Sequence, residues 1–237
     1  MNFDNTAIPL SAIRPNGDNA MVGTGFIVQI GGETYLTTVA HLATGATDQF
    51  DDWPNWSSEI NIQDGEKNIL AQVPLFDGDR GEGRVPLFKY GRTTSEPRQL
   101  LDLILVPLSA DYLHAASSKV FLLPPPIPAA AQVGDKAVIV GCRNWPRITT
   151  ESYSLAGSSS DQVVIHIDPP SRVGESGGPL LTPAGGLLGI NYGDGNAYAP
   201  GMGLVLNAAC IDWLHTAKNG YIEGINYGNH QPSCVTP

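Results

Sequence analysis

The chain has 237 residues, 42% of them apolar, which is enough for a buried core. With 27 glycines, 19 prolines and only 15% charged residues it is rich in turns and poor in charged helix faces, which excludes an all-helical bundle. Thirteen basic against 23 acidic side chains leave a net charge of -10, which repels phosphate backbones and anionic lipid, so neither nucleic acid nor a membrane is an expected partner.

The first residues, Met1-Asn2-Phe3-Asp4-Asn5, show no basic segment leading into an apolar one, and no window approaches about 18 uninterrupted apolar residues. With Met1 as the native start, a cytoplasmic protein is expected. Strand-like runs rich in β-branched and aromatic residues then recur between turn signals. Met21 to Ile30 leads through Gly31-Gly32, a pair suited to a two-residue hairpin, into Glu33 to Thr38. Further on come Leu103 to Leu108, Lys136 to Gly141, Gln162 to Ile167, Leu187 to Tyr192 and Met202 to Leu206.

Between these runs, residues 109–124 form a Leu- and Ala-rich connector ending in a proline run, Pro124-Pro125-Pro126-Ile127-Pro128, whose members cannot donate ladder hydrogen bonds. Two β units are expected, 1–108 and 125–218, the second closing with a helix over Asn207 to Lys218. Asn207 can cap that helix, Ala209, Ile211, Trp213 and Leu214 supply its apolar contacts, and Gly220 ends it. Residues 219–237 read as a polar surface tail.

Three segments carry candidate chemistry. Gly174-Glu175-Ser176-Gly177-Gly178-Pro179 sets a serine among glycines, which fits either a Gly-rich turn or a nucleophile loop whose amides turn toward a developing oxyanion. Tyr35 to His41 places a histidine just past an apolar strand, and Asp102 heads another in Leu101 to Val106. Singly, such a histidine is most often structural and such an aspartate a turn residue. Together, the order His41, Asp102, Ser176 fits a known catalytic triad order.

On these motifs the chain resembles the chymotrypsin-like (trypsin-like) serine proteases over residues 20–218. Gly23-Thr24-Gly25-Phe26-Ile27-Val28 is similar to their first strand, Thr37-Thr38-Val39-Ala40-His41 to the histidine segment, and Asp102-Leu103-Ile104-Leu105-Val106 to the aspartate segment. Val133-Gly134-Asp135-Lys136-Ala137-Val138-Ile139-Val140-Gly141 is similar to the disulfide-free bacterial high-temperature-requirement branch. The resemblance implies an all-β fold of two antiparallel six-stranded barrels with a C-terminal helix, and a serine endopeptidase acting on protein or peptide substrates with no cofactor. It implies His41 as general base, Asp102 as its orienting acid, Ser176 as nucleophile, and the Gly174 and Ser176 amides as the oxyanion hole. The specificity pocket would be walled by Pro170, Ser171, Arg172 and Val173, by Asn191, Tyr192 and Gly193, and by Gly203. Pro170 or Ser171 stands where a trypsin has an aspartate, so a basic P1 preference is not expected and a small or apolar one is. Arg172 either favours an acidic side chain or is solvated, the latter being the simpler reading.

No usual disulfide pair can be built from Cys142, Cys210 and Cys234, in keeping with that branch or a reducing compartment. Secreted relatives activate when a new N-terminus pairs with an acid beside the nucleophile. Glu175 has that charge, but no activation site precedes the first strand, so activity without zymogen cleavage is expected. Asp48, Asp51, Asp52, Trp53 and Trp56 read as a partly packed surface loop, and His114, His166, His215 and His230 lack metal-ligand spacing. Two alternatives remain. One is an α/β-hydrolase, which would take its acid and base from Asp194 or Asp212 and His215 or His230; the other is a catalytically silent protease-fold module that binds peptide.

Overall fold

The structure is a computed structural model describing residues 3, 5–13, 21–44, 55–78, 83–93, 100–116, 118–123, 132–159, 163–194, 201–216 and 221–222. The proline run, Asp48 to Trp53 and most of the tail lie outside these residues. The N-terminal half opens with β1 (Ile8–Ala12), β2 (Met21–Ile30) and β3 (Glu33–Thr38), followed by the single-turn helix α1 (His41–Thr44). Next come β4 (Glu59–Gln63), β5 (Ile69–Pro74), β6 (Phe76–Asp77), β7 (Val85–Pro86), β8 (Lys89–Thr93) and β9 (Leu100–Pro107). Helix α2 (Ala110–Ala116) and β10 (Val120–Leu123) lead to the second half: β11 (Lys136–Asn144), β12 (Arg147–Ser158), β13 (Val164–Asp168), β14 (Pro179–Leu181), β15 (Leu187–Asp194) and β16 (Gly203–Asn207). Helix α3 (Ala209–Thr216) and β17 (Tyr221–Ile222) complete the described chain.

The β2–β3 hairpin turns on Gly31 and Gly32, both at positive φ (59° and 90°), as the glycine pair predicts. These strands sit in a curled nine-stranded sheet ordered β17-β8-β9-β3-β2-β1-β4-β5, with β10 added beside β2. Two of the strands beyond the expected six come from segments read as connector and tail: β10 runs parallel to β2 and β17 parallel to β8. Strand β10 belongs there because its alternation buries Phe121 and Leu123 while Val120 and Leu122 face outward, and the Phe121 ring meets Phe26 edge-on at 5.8 Å.

The second unit is a closed six-stranded barrel, β11-β12-β13-β16-β15-β14, antiparallel throughout. Side-chain alternation separates its two faces. Ala137, Ile139, Tyr153, Leu155, Ile165, Ile167, Leu180, Leu188 and Val205 fill the interior, whereas Val140, Val164, Leu181, Ile190, Leu204 and Leu206 join the core of the first sheet. The two units therefore share one apolar interface, and β2 and β11 meet across it.

Asn207 caps α3, its Oδ1 accepting from Ala209 N at 3.0 Å. Cys210, Ile211 and Leu214 of this helix are buried, while Trp213, expected to pack, turns outward at 38% exposure. Trp56 is buried and stacks on Phe88 at 5.3 Å, anchoring the end of the loop read as surface. Among the described residues no helix is long and apolar enough to cross a membrane.

Barrel closure leaves no room at Gly189 on β15, where a Cβ would lie 2.2 Å from the Leu206 carbonyl oxygen and 2.7 Å from Val205 Cγ1. Gly189→Ala should therefore cost about 3 kcal/mol or more, read as a lowered urea midpoint at unchanged m-value. An unshifted midpoint would contradict the β15–β16 pairing.

Candidate active site

Strand β3 pairs with β9 in a register that sets Thr38 opposite Ile104. This brings the start of α1 beside the carboxylate two residues earlier on β9. His41 donates its backbone N–H to Asp102 Oδ1 (2.9 Å), and its Nδ1 lies 2.7 Å from Asp102 Oδ2. A carboxylate can only accept, so Nδ1 carries the proton and Nε2 presents a lone pair. Asp102 is 3% exposed and the His41 side chain 20%. Burial is the largest influence on the ring and favours its neutral form, but the Asp102 charge and hydrogen bond outweigh it and leave the pKa raised above 6.5.

The serine loop docks on β2 through Thr24, which is fully buried. Thr24 N donates to Ser176 O (2.8 Å), and its Oγ1 donates to Gly174 O (2.7 Å) while accepting from Cys142 N (2.9 Å). The Thr24 carbonyl accepts from Thr38 Oγ1 at 2.8 Å, three residues before His41. Gly177 sits against the same pair, where a Cβ would fall 2.0 Å from Thr24 O and 2.6 Å from Thr38 Oγ1. The serine segment and the histidine segment are thus fastened to one residue. Ser176 is half-buried, and no hydrogen bond joins its hydroxyl to the His41 ring.

Within the loop, Glu175 N donates to Arg172 O, Gly177 N to Asn191 O and Gly178 N to Glu175 O. The amides of Gly174 and Ser176 have no acceptor among the described residues. Gly174 takes φ +88°, and a Cβ there would collide with the Cys142 carbonyl at 2.2 Å, so only glycine fits. Glu175 is wholly buried, and its Oε2 accepts from Tyr153 Oη (2.8 Å) and Arg172 N (2.5 Å). Burial, the largest influence, pushes the Glu175 carboxyl pKa up; the Arg172 amide, Tyr153 and the Arg143 charge oppose it only in part.

Of the residues expected to wall a pocket, Ser171 is buried and donates its hydroxyl to Gly193 O at 3.2 Å. Gly203 lies beside it, where a Cβ would be 2.9 Å from Ser171 N and 2.8 Å from Ile167 Cγ1. Asn191 and Tyr192 are fully buried, and Asn191 holds the serine loop through its backbone, donating to Gly178 O and accepting from Gly177 N. Pro170 is half-buried, whereas Arg172 and Val173 are exposed, Val173 at 87%. Cys142 is a buried free thiol with its pKa pushed up to about 12 by burial, against a smaller opposing pull from Thr24. Among the described residues no three His, Cys, Asp or Glu side chains gather as metal ligands would.

No family model and no curated protein matches the sequence. Solved structures do. The serine endoprotease from Yersinia pestis superposes with a TM-score of 0.54 at 15% identity, over 88% of this chain and 61% of that one. The HtrA-type protease AlgW, solved with a tripeptide, gives 0.55 at 14% identity over 90% of this chain and 60% of that one. The active form of the Rv3671c protease from M. tuberculosis gives 0.51 at 18% identity over 89% and 79%. The fold is that of the HtrA-type serine proteases. This chain spans under two thirds of the length of the Yersinia and AlgW chains. The α/β-hydrolase alternative falls, because that fold needs alternating helices and the described helices have 4, 7 and 8 residues.

Thr24, Thr38 and Tyr153 escape a sequence reading of the site, although Gly23 and Gly25 flanking Thr24 mark a strand approached closely from both sides. Thr24→Val keeps the shape but strips Cys142 N and Gly174 O of their buried partner. The expected loss is about 2 kcal/mol in chemical denaturation, and a variant within error of the parent would show that the hydroxyl does not tie the loop to β2.

Proposed function

We propose that the chain is a serine endopeptidase hydrolysing peptide bonds through His41, Asp102 and Ser176 and an acyl-enzyme intermediate, without zymogen cleavage. Ser176 Oγ attacks the peptide carbonyl while His41 Nε2 takes its proton and later delivers it to the leaving amine. Asp102 fixes the Nδ1–H tautomer and stabilises the imidazolium. The carrying observation is the amide pattern of the serine loop. From Gly174 to Gly178 the amides of Glu175, Gly177 and Gly178 are bonded internally, and those of Gly174 and Ser176 are not. An oxyanion needs two donors there, and these are the two amides of the loop that no protein group occupies. Each such donor is worth about 3 kcal/mol of barrier.

The pocket reading rests on half-buried Pro170, on Ser171 and on Gly203, a set that brings no carboxylate to the base. Small or apolar P1 residues fit such a base. A peptide library cleaved mainly after Arg or Lys would refute this assignment.

A fluorophosphonate should label wild-type protein at Ser176 and fail to label Ser176→Ala or His41→Ala; labelling that survives His41→Ala would sink the triad. Asp102→Asn should lower kcat/KM by about 10⁴-fold, through loss of the required tautomer.

The pH dependence follows from the raised His41 pKa. Only the neutral ring accepts a proton, so kcat/KM should climb with pH through a midpoint above 6.5. The stabilising contribution of the same group has the opposite sense. It is full below the unfolded pKa and is lost as pH rises through the folded one. A kinetic midpoint below 6.5 would contradict the Asp102 pairing.

A further inference from the structure

Asp102 sits in an interruption of its own sheet. On one side of β9 the ladder with β3 stops at Thr38 opposite Ile104, two residues short of the carboxylate. On the other side β8 pairs Tyr90 with Ile104 and Arg92 with Leu100, and the register shifts between these pairs. Gly91 alone therefore stands against Leu101, Asp102 and Leu103. A bulge of this kind re-aims side chains, and it keeps its shape only while both of its ends stay paired. The Tyr90 end runs on into the ladder through Lys89 and Leu105. The Arg92 end has no further β9 partner behind it, because β9 begins at Leu100.

That weaker end is covered from outside. Strand β17 adds in parallel to the other edge of β8, setting Tyr221 opposite Arg92 and Ile222 opposite Thr93. It thus pairs with the residue that closes the bulge and with the one after it. The chain reaches this edge from α3, whose last turn is fastened to the same sheet. Lys89 Nζ donates to His215 O (3.0 Å), and His215 Nε2 lies 3.3 Å from Glu33 Oε2. A parallel ladder of two residue pairs at a sheet edge is among the first parts of a fold to open, and the helix can keep its hold while the ladder opens.

Resting on the proposed protease reading, we propose that Tyr221–Ile222 is a detachable strap: docked on β8 it closes the bulge around Asp102 and holds the carboxylate against His41, and released it slows the reaction. Among the described residues its strand partner is β8 alone. It is therefore a positioning element, reaching Asp102 through Arg92 and Leu100 from outside the cleft.

Two full-length variants test the strap. Tyr221→Pro/Ile222→Pro removes both of its amides, since proline cannot donate to a ladder. Thr93→Cys/Ile222→Cys, made with Cys234→Ser, can close a disulfide across a facing pair about 4.8 Å apart and lock the strap in place. Hydrogen exchange over residues 100–104, kcat/KM on a peptide ester and the pH midpoint of kcat/KM are read together. The proline variant should exchange faster over 100–104 and as the parent does over 136–144. Its kcat/KM should fall about tenfold, a part of the roughly 10⁴-fold loss expected when the carboxylate is replaced. Its midpoint should move down toward 6.5, because the Asp102 charge and hydrogen bond are what raise the His41 pKa. Oxidising the cysteine pair should slow exchange over 100–104 and reducing it should restore the faster rate, a comparison that decides the strap even where the proline variant does not fold.

Unchanged exchange over 100–104 in the folded proline variant, or no difference between the oxidised and reduced pair, overturns the strap whether or not the protein cleaves anything. Quickened exchange with kcat/KM and the midpoint unmoved overturns its part in the reaction and leaves the protease reading standing. A folded wild type that neither reacts with a fluorophosphonate nor turns over the ester overturns the protease reading and that part together.

Discussion

Thr24 is the point on which the two sheets and the serine loop are hung. In one fully buried residue the amide holds Ser176 O, the hydroxyl bridges Cys142 N and Gly174 O, and the carbonyl receives Thr38 Oγ1. A hydroxyl has one proton to give and lone pairs to receive, and Thr24 uses it in both senses at once. Removed from water, each of these bonds is costly to leave unmade, so the residue behaves as a rigid joint and not as one contact among many. The neighbouring glycines let the other parts come that near. A Cβ at position 23 would stand 3.1 Å from Ser176 O, and one at position 25 would stand 2.6 Å from Leu10 Cδ1.

The His41–Asp102 pair depends on a second constraint, strand register. Asp102 shares a face of β9 with Ile104, which sits opposite Thr38, and side chains alternate strictly along a strand. A slip of one residue would turn Asp102 away from His41 and carry Leu103 into its place. Leu103, Ile104 and Leu105 are wholly buried, so such a slip is resisted by the apolar core on both faces. Taking the carboxylate out of water is unfavourable, and the two hydrogen bonds from His41, one main-chain and one side-chain, offset that cost. Stability of the apolar strand and geometry of the polar pair are therefore one and the same requirement.

What could be read from the sequence follows from how local each signal is. Strands β2 and β3 were legible to the residue, because an alternating apolar run bounded by two glycines is a complete local description. The capped start of α3 was legible for the same reason, and so were His41 and Asp102, which the structure brings into contact, as segments each carrying its own pattern. Strands β10 and β17 were not, since their pairing with β2 and β8 depends on partners distant in the chain and their own residues read as connector and tail. The hydrogen bonds that hold the serine loop were equally hidden. Thr24 is 150 residues away from Gly174 and Tyr153 is 22 residues from Glu175, and nothing local distinguishes a strand threonine or tyrosine that points at a loop from one that packs. Trp213, expected to pack, is exposed, and Trp56 turns out to be the packed end of a loop read as partly packed, because a large aromatic ring gives no local sign of which side of a surface it will take.

The serine loop divides by side as well as by residue. Its inner groups, Glu175 Oε2, the Gly174 and Ser176 carbonyls and the Gly177 and Gly178 amides, are all committed to the protein. Outward it offers Val173, the Arg172 side chain and two unpaired amides. Two amides left without an acceptor in this way can receive negative charge on an oxygen without first giving up another bond. A loop that turned the same donors inward would have to break those bonds before it could receive an oxyanion. The buried acid contributes to that division, because its Oε2 takes up the Arg172 amide and the Tyr153 hydroxyl and so keeps both bonds on the inner side of the loop.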